Sequence, residues 1–204
     1  MTAAPEFLFD FGSPNAYLAH RVLPAIEDRT GVRFTYVPVL LGGVFKATAN
    51  RSPAEAYASI PSKLAYEQLE MRRFIARHGL AEFQFNPHFP VNTLLIMRGA
   101  VAAMLEGRLA AYVETVMRAM WVEGQAMADP AVVGTALDAA GLDGARILAR
   151  TQDADVKQRL IADTERAVAR GVFGLPAFFV GDELYFGKDR LRDVEEEIVR
   201  RASP

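Results

Sequence analysis

The chain has 204 residues, of which 51 % are hydrophobic and 24 % charged, the proportions of a globular protein with a substantial core rather than a disordered one. Lys and Arg total 23 against 25 Asp and Glu, so the net charge is -2, with no basic face for nucleic acid and no polybasic signal for anionic membranes. Cysteine is absent, which excludes disulfides, thiolate metal sites and a cysteine nucleophile. Any thiol chemistry here has to use a thiol brought in from outside.

The opening, MTAAPEFLFDFGSP, has neither a basic region nor a long apolar run, so the expectation is no signal peptide and a cytoplasmic location. PEFLFDF, residues 5–11, is aromatic and branched between Pro5 and Gly12 and reads as a buried strand. Ser13-Pro14 then opens a helix that places Tyr17, Leu18, Val22 and Ile26 on one face and ends at Gly31. VRFTYVPV, residues 32–39, is a second strand, and the three pieces make a βαβ unit with parallel strands.

From about residue 42 to 170 the pattern is helical. One segment carries Leu64, Leu69 and Ile75 and ends at Gly79; others span about 92–106 and 109–122. Shorter ones follow Asp129 and Asp143. A longer one over about 153–170 has Val156, Leu160, Ile161 and Val168 on its apolar side. VNTLLIMRGAVAAMLEG is broken by Arg98 and Gly99 and closed by Glu106, short of the roughly 20 apolar residues of a membrane span. Strands return in LPAFFVG and ELYF, joined by a two-residue loop at Gly181-Asp182, and Asp189 precedes a last helix over about 190–202. The order βαβ, helices, ββα describes a small mixed sheet with an inserted helical lobe.

Ser13 stands where a helix N-terminus follows a buried strand. That position either caps the helix and nothing more, or uses the converging N–H groups and the helix dipole to stabilise an anion such as a thiolate. Leu175-Pro176 enters a strand, either as an ordinary trans edge-strand proline or as a cis bond that leaves the Leu175 backbone open to an extended peptide. Asp189 reads as an N-cap whose carboxylate has acceptor sites left for a ligand ammonium. Asp10 reads either as a buried, perturbed carboxylate interior to the first strand or, the preferred reading, as a strand-end residue with hydrogen-bond partners; His20 is expected outward on the first helix, and Trp121 as a partly buried packing anchor. The three histidines, His20, His78 and His88, show no metal-ligand spacing. No G-x-S-x-G elbow, P-loop or G-x-G-x-x-G occurs.

Taken in order, FLFDFGSPNAYLA, FPVNTLLIMRGA, MWVEGQAMADP and VFGLPAFFVGDELYFGKDRL resemble the 2-hydroxychromene-2-carboxylate isomerase family, over essentially the whole chain. That family is grouped with kappa-class glutathione transferases and the disulfide oxidoreductases of thioredoxin fold. The resemblance implies an α/β, thioredoxin-like mixed sheet with a large all-helical insertion. Residues 1–41 and 171–204 would form the thioredoxin-like lobe and 42–170 the insertion, in one chain of 1–204. It also implies glutathione as cofactor, a homodimer, and a small aromatic carboxylate as substrate. Where oxidoreductase relatives carry C-x-x-C, this chain has Ser13-Pro14-Asn15-Ala16, so disulfide exchange by the protein is excluded.

By the same resemblance, Ser13 would donate its hydroxyl to the glutathione sulfur and Leu175-Pro176 would be a cis-proline loop pairing with the cysteinyl backbone. Lys188, Asp189 and Arg190 would gather the γ-glutamyl end, with Asp189 on its ammonium. Asn50 would face the cofactor, and Lys63 would meet the substrate carboxylate. The implied reaction interconverts 2-hydroxychromene-2-carboxylate and trans-o-hydroxybenzylidenepyruvate. A transferase or peroxidase acting on another electrophile, or a binding protein that keeps the scaffold without catalysis, are the alternatives.

Overall fold

The computed structural model describes residues 4–202. Strand β1 (Glu6–Phe9), helix α1 (Pro14–Thr30) and strand β2 (Thr35–Pro38) form the expected βαβ unit, with β1 and β2 parallel from Glu6 opposite Thr35 to Phe9 opposite Pro38. Strands β3 (Ala177–Val180) and β4 (Glu183–Phe186) form the hairpin, turning at Gly181, whose φ of 61° suits a residue without a side chain. β3 runs antiparallel to β1, which completes a mixed sheet in the order β2-β1-β3-β4.

Eight helices lie between β2 and β3: α2 (Leu41–Thr48), α3 (Pro53–Ala56), α4 (Pro61–His78), α5 (Leu94–Leu105), α6 (Leu109–Trp121), α7 (Pro130–Ala139), α8 (Gly144–Arg150) and α9 (Ala154–Ala169). A 3-10 turn over Lys188–Arg190 leads into α10 (Leu191–Ala202). Local chemistry sets many of these boundaries. Ser13, Asp129 and Asp143 each accept a backbone N–H in the first turn of the helix that follows. Gly31 and Gly79 end α1 and α4 in the left-handed conformation.

Alternation along the strands divides the core into two parts. Phe7, Phe9 and Phe178 point to one face, where they pack with α1, α5, α6 and α10; the Phe7 ring stacks on Phe178 at 5.3 Å. Leu8, Val37, Ala177 and Phe179 point to the other, where Val44 of α2 and Ala167 of α9 close over them. The sheet is therefore covered on both faces. None of the helices among the described residues is long and apolar enough to cross a membrane.

Several expectations are corrected. The first strand stops at Phe9 because Asp10 turns its carboxylate to the backbone of Gly12 and Leu41. The short helices α2 and α3 were not individually expected. Ile161 faces solvent, 55 % exposed, while the buried side of α9 is formed by Val156, Leu160, Asp163, Thr164 and Ala167. Trp121 is wholly buried rather than partly so. Asp189 is not an N-cap: it lies inside the 3-10 turn that Gly187 opens, and its carboxylate takes the Lys188 ammonium instead.

Phe178 has no exposed surface and touches Phe7 and Phe34. Phe178→Ala should cost about 3–5 kcal/mol in urea unfolding, the range of an aromatic deletion that leaves a core cavity.

Candidate active site

The register of β1 against β3 decides where the site forms. Leu8 faces Ala177, so the chain leaving β1 and the chain entering β3 emerge at the same end of the sheet. Four residues beyond β1, Ser13 caps α1; two residues before β3 stands Leu175. The Ser13 Oγ donates to the Leu175 carbonyl at 3.1 Å and accepts from the Ala16 N–H at 3.2 Å. Ser13 is 5 % exposed and Leu175 6 %. The peptide bond between Leu175 and Pro176 is cis, and the Pro176 carbonyl accepts the Gly187 N–H at 2.9 Å. Ser13 thus caps the helix, and its hydroxyl also reaches across the sheet end to the cis-proline segment.

The turn bearing Ser13 is held from beneath. Asp10 has no exposed surface; its carboxylate accepts from the N–H groups of Gly12 and Leu41, each at 2.8 Å, and from the Thr93 hydroxyl at 3.1 Å. Burial raises its pKa above the ordinary carboxylate value of 3.8, against the lowering effect of the three donors. The first turn of α1 contains no acidic residue. Its Asn15 carries a buried Oδ1 with no hydrogen-bond partner among the described residues.

The other candidates are placed as follows. Asn50 donates its side-chain amide to the Phe173 carbonyl at 2.8 Å, tying the loop after α2 to the segment before the cis-proline. Phe173 in turn packs against Phe186 of β4, the ring centres 4.5 Å apart and tilted by 46°, and Gly174 fits beside that ring because a Cβ there would come within 2.9 Å of it. Lys188 is buried, its Nζ 2.6 Å from the Asp189 carboxylate and 5.0 Å from the centre of the Phe74 ring of α4. Asp189 remains 64 % exposed, and Arg190 points outward to Asp193. Lys63 lies over the Tyr57 ring at 4.1 Å, and no hydrogen bond or ion pair among the described residues joins it to Ser13 or Leu175. A groove of about 640 Å³ elsewhere is lined by Tyr36, Arg159, Arg166 and Arg170, none of them a candidate residue.

Compared with known proteins, residues 6–199 match the model of the DSBA-like thioredoxin domain. The chain belongs to the DSBA-like thioredoxin family. Within that family it is similar to a 2-hydroxychromene-2-carboxylate isomerase of Pseudomonas putida, 29 % identical over 197 residues that cover 96 % of this chain and 94 % of the relative. A solved structure of a 2-hydroxychromene-2-carboxylate isomerase superposes with a TM-score of 0.81 at 28 % identity, covering 98 % of this chain and 96 % of that one. A kappa 1 glutathione S-transferase of Rattus norvegicus is 26 % identical and covers 91 % of this chain and 86 % of its own length. The thioredoxin-like mixed sheet with its helical insertion is therefore a property of the family as well as of this chain.

Sequence reasoning missed a polar network that joins this thioredoxin-like sheet to the inserted helices. His20 does not face outward: Nδ1 lies 2.8 Å from the Tyr36 hydroxyl and Nε2 3.2 Å from Glu114 of α6. Arg21 bridges Glu82 and Glu114, and the Tyr17 hydroxyl donates to Glu82 at 3.4 Å. These pairs are 16 to 94 residues apart, so no local pattern announces them. Burial, then the nearby Glu82 charge, pushes the Tyr17 phenol up to about 12 from 10.0. The folded state thus holds a proton that the unfolded chain releases, and stability is lost as pH rises from 10.0 to about 12. Tyr17→Phe should flatten that alkaline fall in thermal melts while leaving the neutral-pH protein folded.

Proposed function

We propose that this protein is a glutathione-dependent isomerase of a small aromatic keto acid, of the kind that interconverts 2-hydroxychromene-2-carboxylate and trans-o-hydroxybenzylidenepyruvate. The observation that carries this reading is the Ser13 hydroxyl, buried at a helix N-terminus and bonded to the Leu175 carbonyl, in a chain with no thiol of its own. The chemistry supplied on binding glutathione is a thiolate that adds reversibly to a conjugated double bond, so that the bond can turn before it is restored.

The residues fit such a tripeptide. Asn15 Oδ1 is an acceptor with no internal donor. The Leu175 carbonyl takes a ligand N–H once the Ser13 hydroxyl turns from it to the sulfur. Asp189, exposed and holding a single ammonium, has acceptor sites left for the γ-glutamyl ammonium, with Lys188 and Arg190 beside it for the carboxylate. The positive end of α1, free of acidic side chains in its first turn, favours the ionised sulfur. Asn50 holds the loop after α2 against Phe173 and so shapes the wall rather than the floor of the site. Lys63, exposed at the start of α4, is the cation for the substrate carboxylate.

A kappa-like transferase acting on another electrophile is the second reading; the similarity to the rat enzyme favours it, and it uses the same thiol site. Calorimetric titration with glutathione and S-methylglutathione, followed by turnover of the chromene carboxylate, separates the two. Binding with glutathione-dependent isomerisation is the expected result. Binding without isomerisation transfers the assignment to the second reading, and no binding at millimolar thiol ends both. Ser13→Ala should lower turnover by roughly 10²-fold, the loss seen when one preorganised donor is removed. Asp189→Asn, which keeps one acceptor oxygen but removes the charge facing the buried Lys188, should weaken glutathione binding by roughly tenfold or more, and a urea melt of the variant separates that loss from the loss of stability.

A further inference from the structure

We propose that Asp10 is a positioning residue of the Ser13 site, one carboxylate that fixes the Ser13 turn, the start of α2 and the entry to α5 in a single arrangement. The proposal rests on Ser13 being the anchor of the thiol site. One oxygen, Oδ1, takes the Gly12 N–H, and Gly12 is the residue before Ser13. The other, Oδ2, takes both the Leu41 N–H, from the first residue of α2, and the hydroxyl of Thr93, the residue before α5. The main chain of Asp10 adds a fourth tie, its carbonyl accepting the Ser13 N–H at 3.1 Å. The packing is close: a Cβ on Gly12 would lie 2.9 Å from the Thr93 methyl and 3.3 Å from Asp10 Oδ1. Ser13 therefore cannot move relative to the helical insertion without breaking a bond to Asp10.

A core carboxylate is an expensive fastener. An apolar side chain would pack the same space without desolvating a charge, but could not hold two N–H groups and a hydroxyl from three separate segments. The groups facing Asp10 are the Gly12 and Leu41 amides and the Thr93 hydroxyl. None of them titrates in this range, and no charged side chain contributes to the shift of Asp10. Because the folded value is raised, the folded protein favours the neutral acid relative to the unfolded chain, and that preference is lost as pH rises from 3.8 through the folded value. The three donors take three of the carboxylate's roughly four acceptor sites, and the ionised form binds them most strongly because each bond is charge-assisted. As pH falls through the folded value the proton neutralises the carboxylate, all three bonds lose that assistance and the clamp loosens. Removing the Thr93 donor leaves the carboxylate less stabilised, so it should titrate at higher pH.

The test pairs Thr93→Val, which removes the hydroxyl, with Thr93→Ser, which keeps it, and adds Asp10→Asn. The amide resonances of Gly12 and Leu41 followed against pH need no ligand. In the wild-type chain they should titrate together with one midpoint above 3.8. In Thr93→Val that midpoint should move up, and the step it makes in kcat, below the acid limb set by the glutathione thiol, should move with it. Turnover on the acid side should fall roughly tenfold while KM for glutathione changes little, as misplacement of a reacting group predicts. Thr93→Ser should restore both, and Asp10→Asn should lower kcat at every pH and remove that lower step, leaving the acid limb set by the glutathione thiol itself. A folded Thr93→Val with wild-type kcat at every pH would overturn the proposal. So would equal losses in the valine and serine variants that track only their melting temperatures, or amides of Gly12 and Leu41 that titrate independently. Should the wild-type chain bind no glutathione, the functional reading fails by itself, and the amide titration still decides whether Asp10 is the clamp.

Discussion

Everything proposed for this molecule depends on one hydrogen bond between residues 162 positions apart, from the Ser13 hydroxyl to the Leu175 carbonyl. It exists because β1 and β3 are antiparallel neighbours with Leu8 opposite Ala177, which brings the exit of one strand to the entrance of the other. The helix that begins at Ser13 has the positive end of its dipole at that point, and the Leu175 carbonyl, just before the cis Pro176, accepts the Ser13 hydroxyl. Neither half would be a site alone. A capped helix is common, and so is a proline at the start of a strand; the proposed thiol site is built on their meeting.

The absence of cysteine gives that place its meaning. On the proposed reading the thiolate held there comes from outside, since the chain has none of its own and Ser13-Pro14-Asn15-Ala16 occupies the helix start. The charged residues of the 3-10 turn stand differently: Asp189 is exposed, Lys188 is buried against Phe74, and Arg190 pairs with Asp193. In the proposed site Lys188 and the ligand ammonium would share the Asp189 carboxylate. Among the polar ties that join the helical insertion to the sheet are the Asp10 clamp beneath Ser13 and the His20, Tyr17 and Arg21 network on Glu82 and Glu114.

What the sequence makes legible is what local chemistry dictates. The aromatic run of β1, the Ser13 cap, the Gly181-Asp182 turn and the caps at Asp129 and Asp143 all involve residues within four positions of one another. The family resemblance placed Ser13 and Leu175 at one tripeptide, but the hydrogen bond that joins them directly belongs to the fold and no local pattern contains it. The rest escaped because it is decided by distant partners. Asp189 looks like a cap until the neighbouring Lys188 ammonium, turned inward by Phe74, claims its carboxylate. His20 looks like a solvated helix residue until Tyr36 and Glu114 arrive from elsewhere in the chain. Ile161 follows the apolar period of α9, but the buried face is centred on Asp163 and Thr164, where Thr164 reaches the Leu40 N–H.

The most direct measurement is the ultraviolet thiolate absorbance of glutathione bound to the protein, titrated against pH, since the chain contributes no thiol signal of its own. With Ser13 in place the midpoint should lie at least about one unit below the free-thiol value of about 8.5, and in Ser13→Ala it should return toward that value. A midpoint at the free value in both proteins would contradict the assignment of Ser13 and Leu175 as a thiolate site.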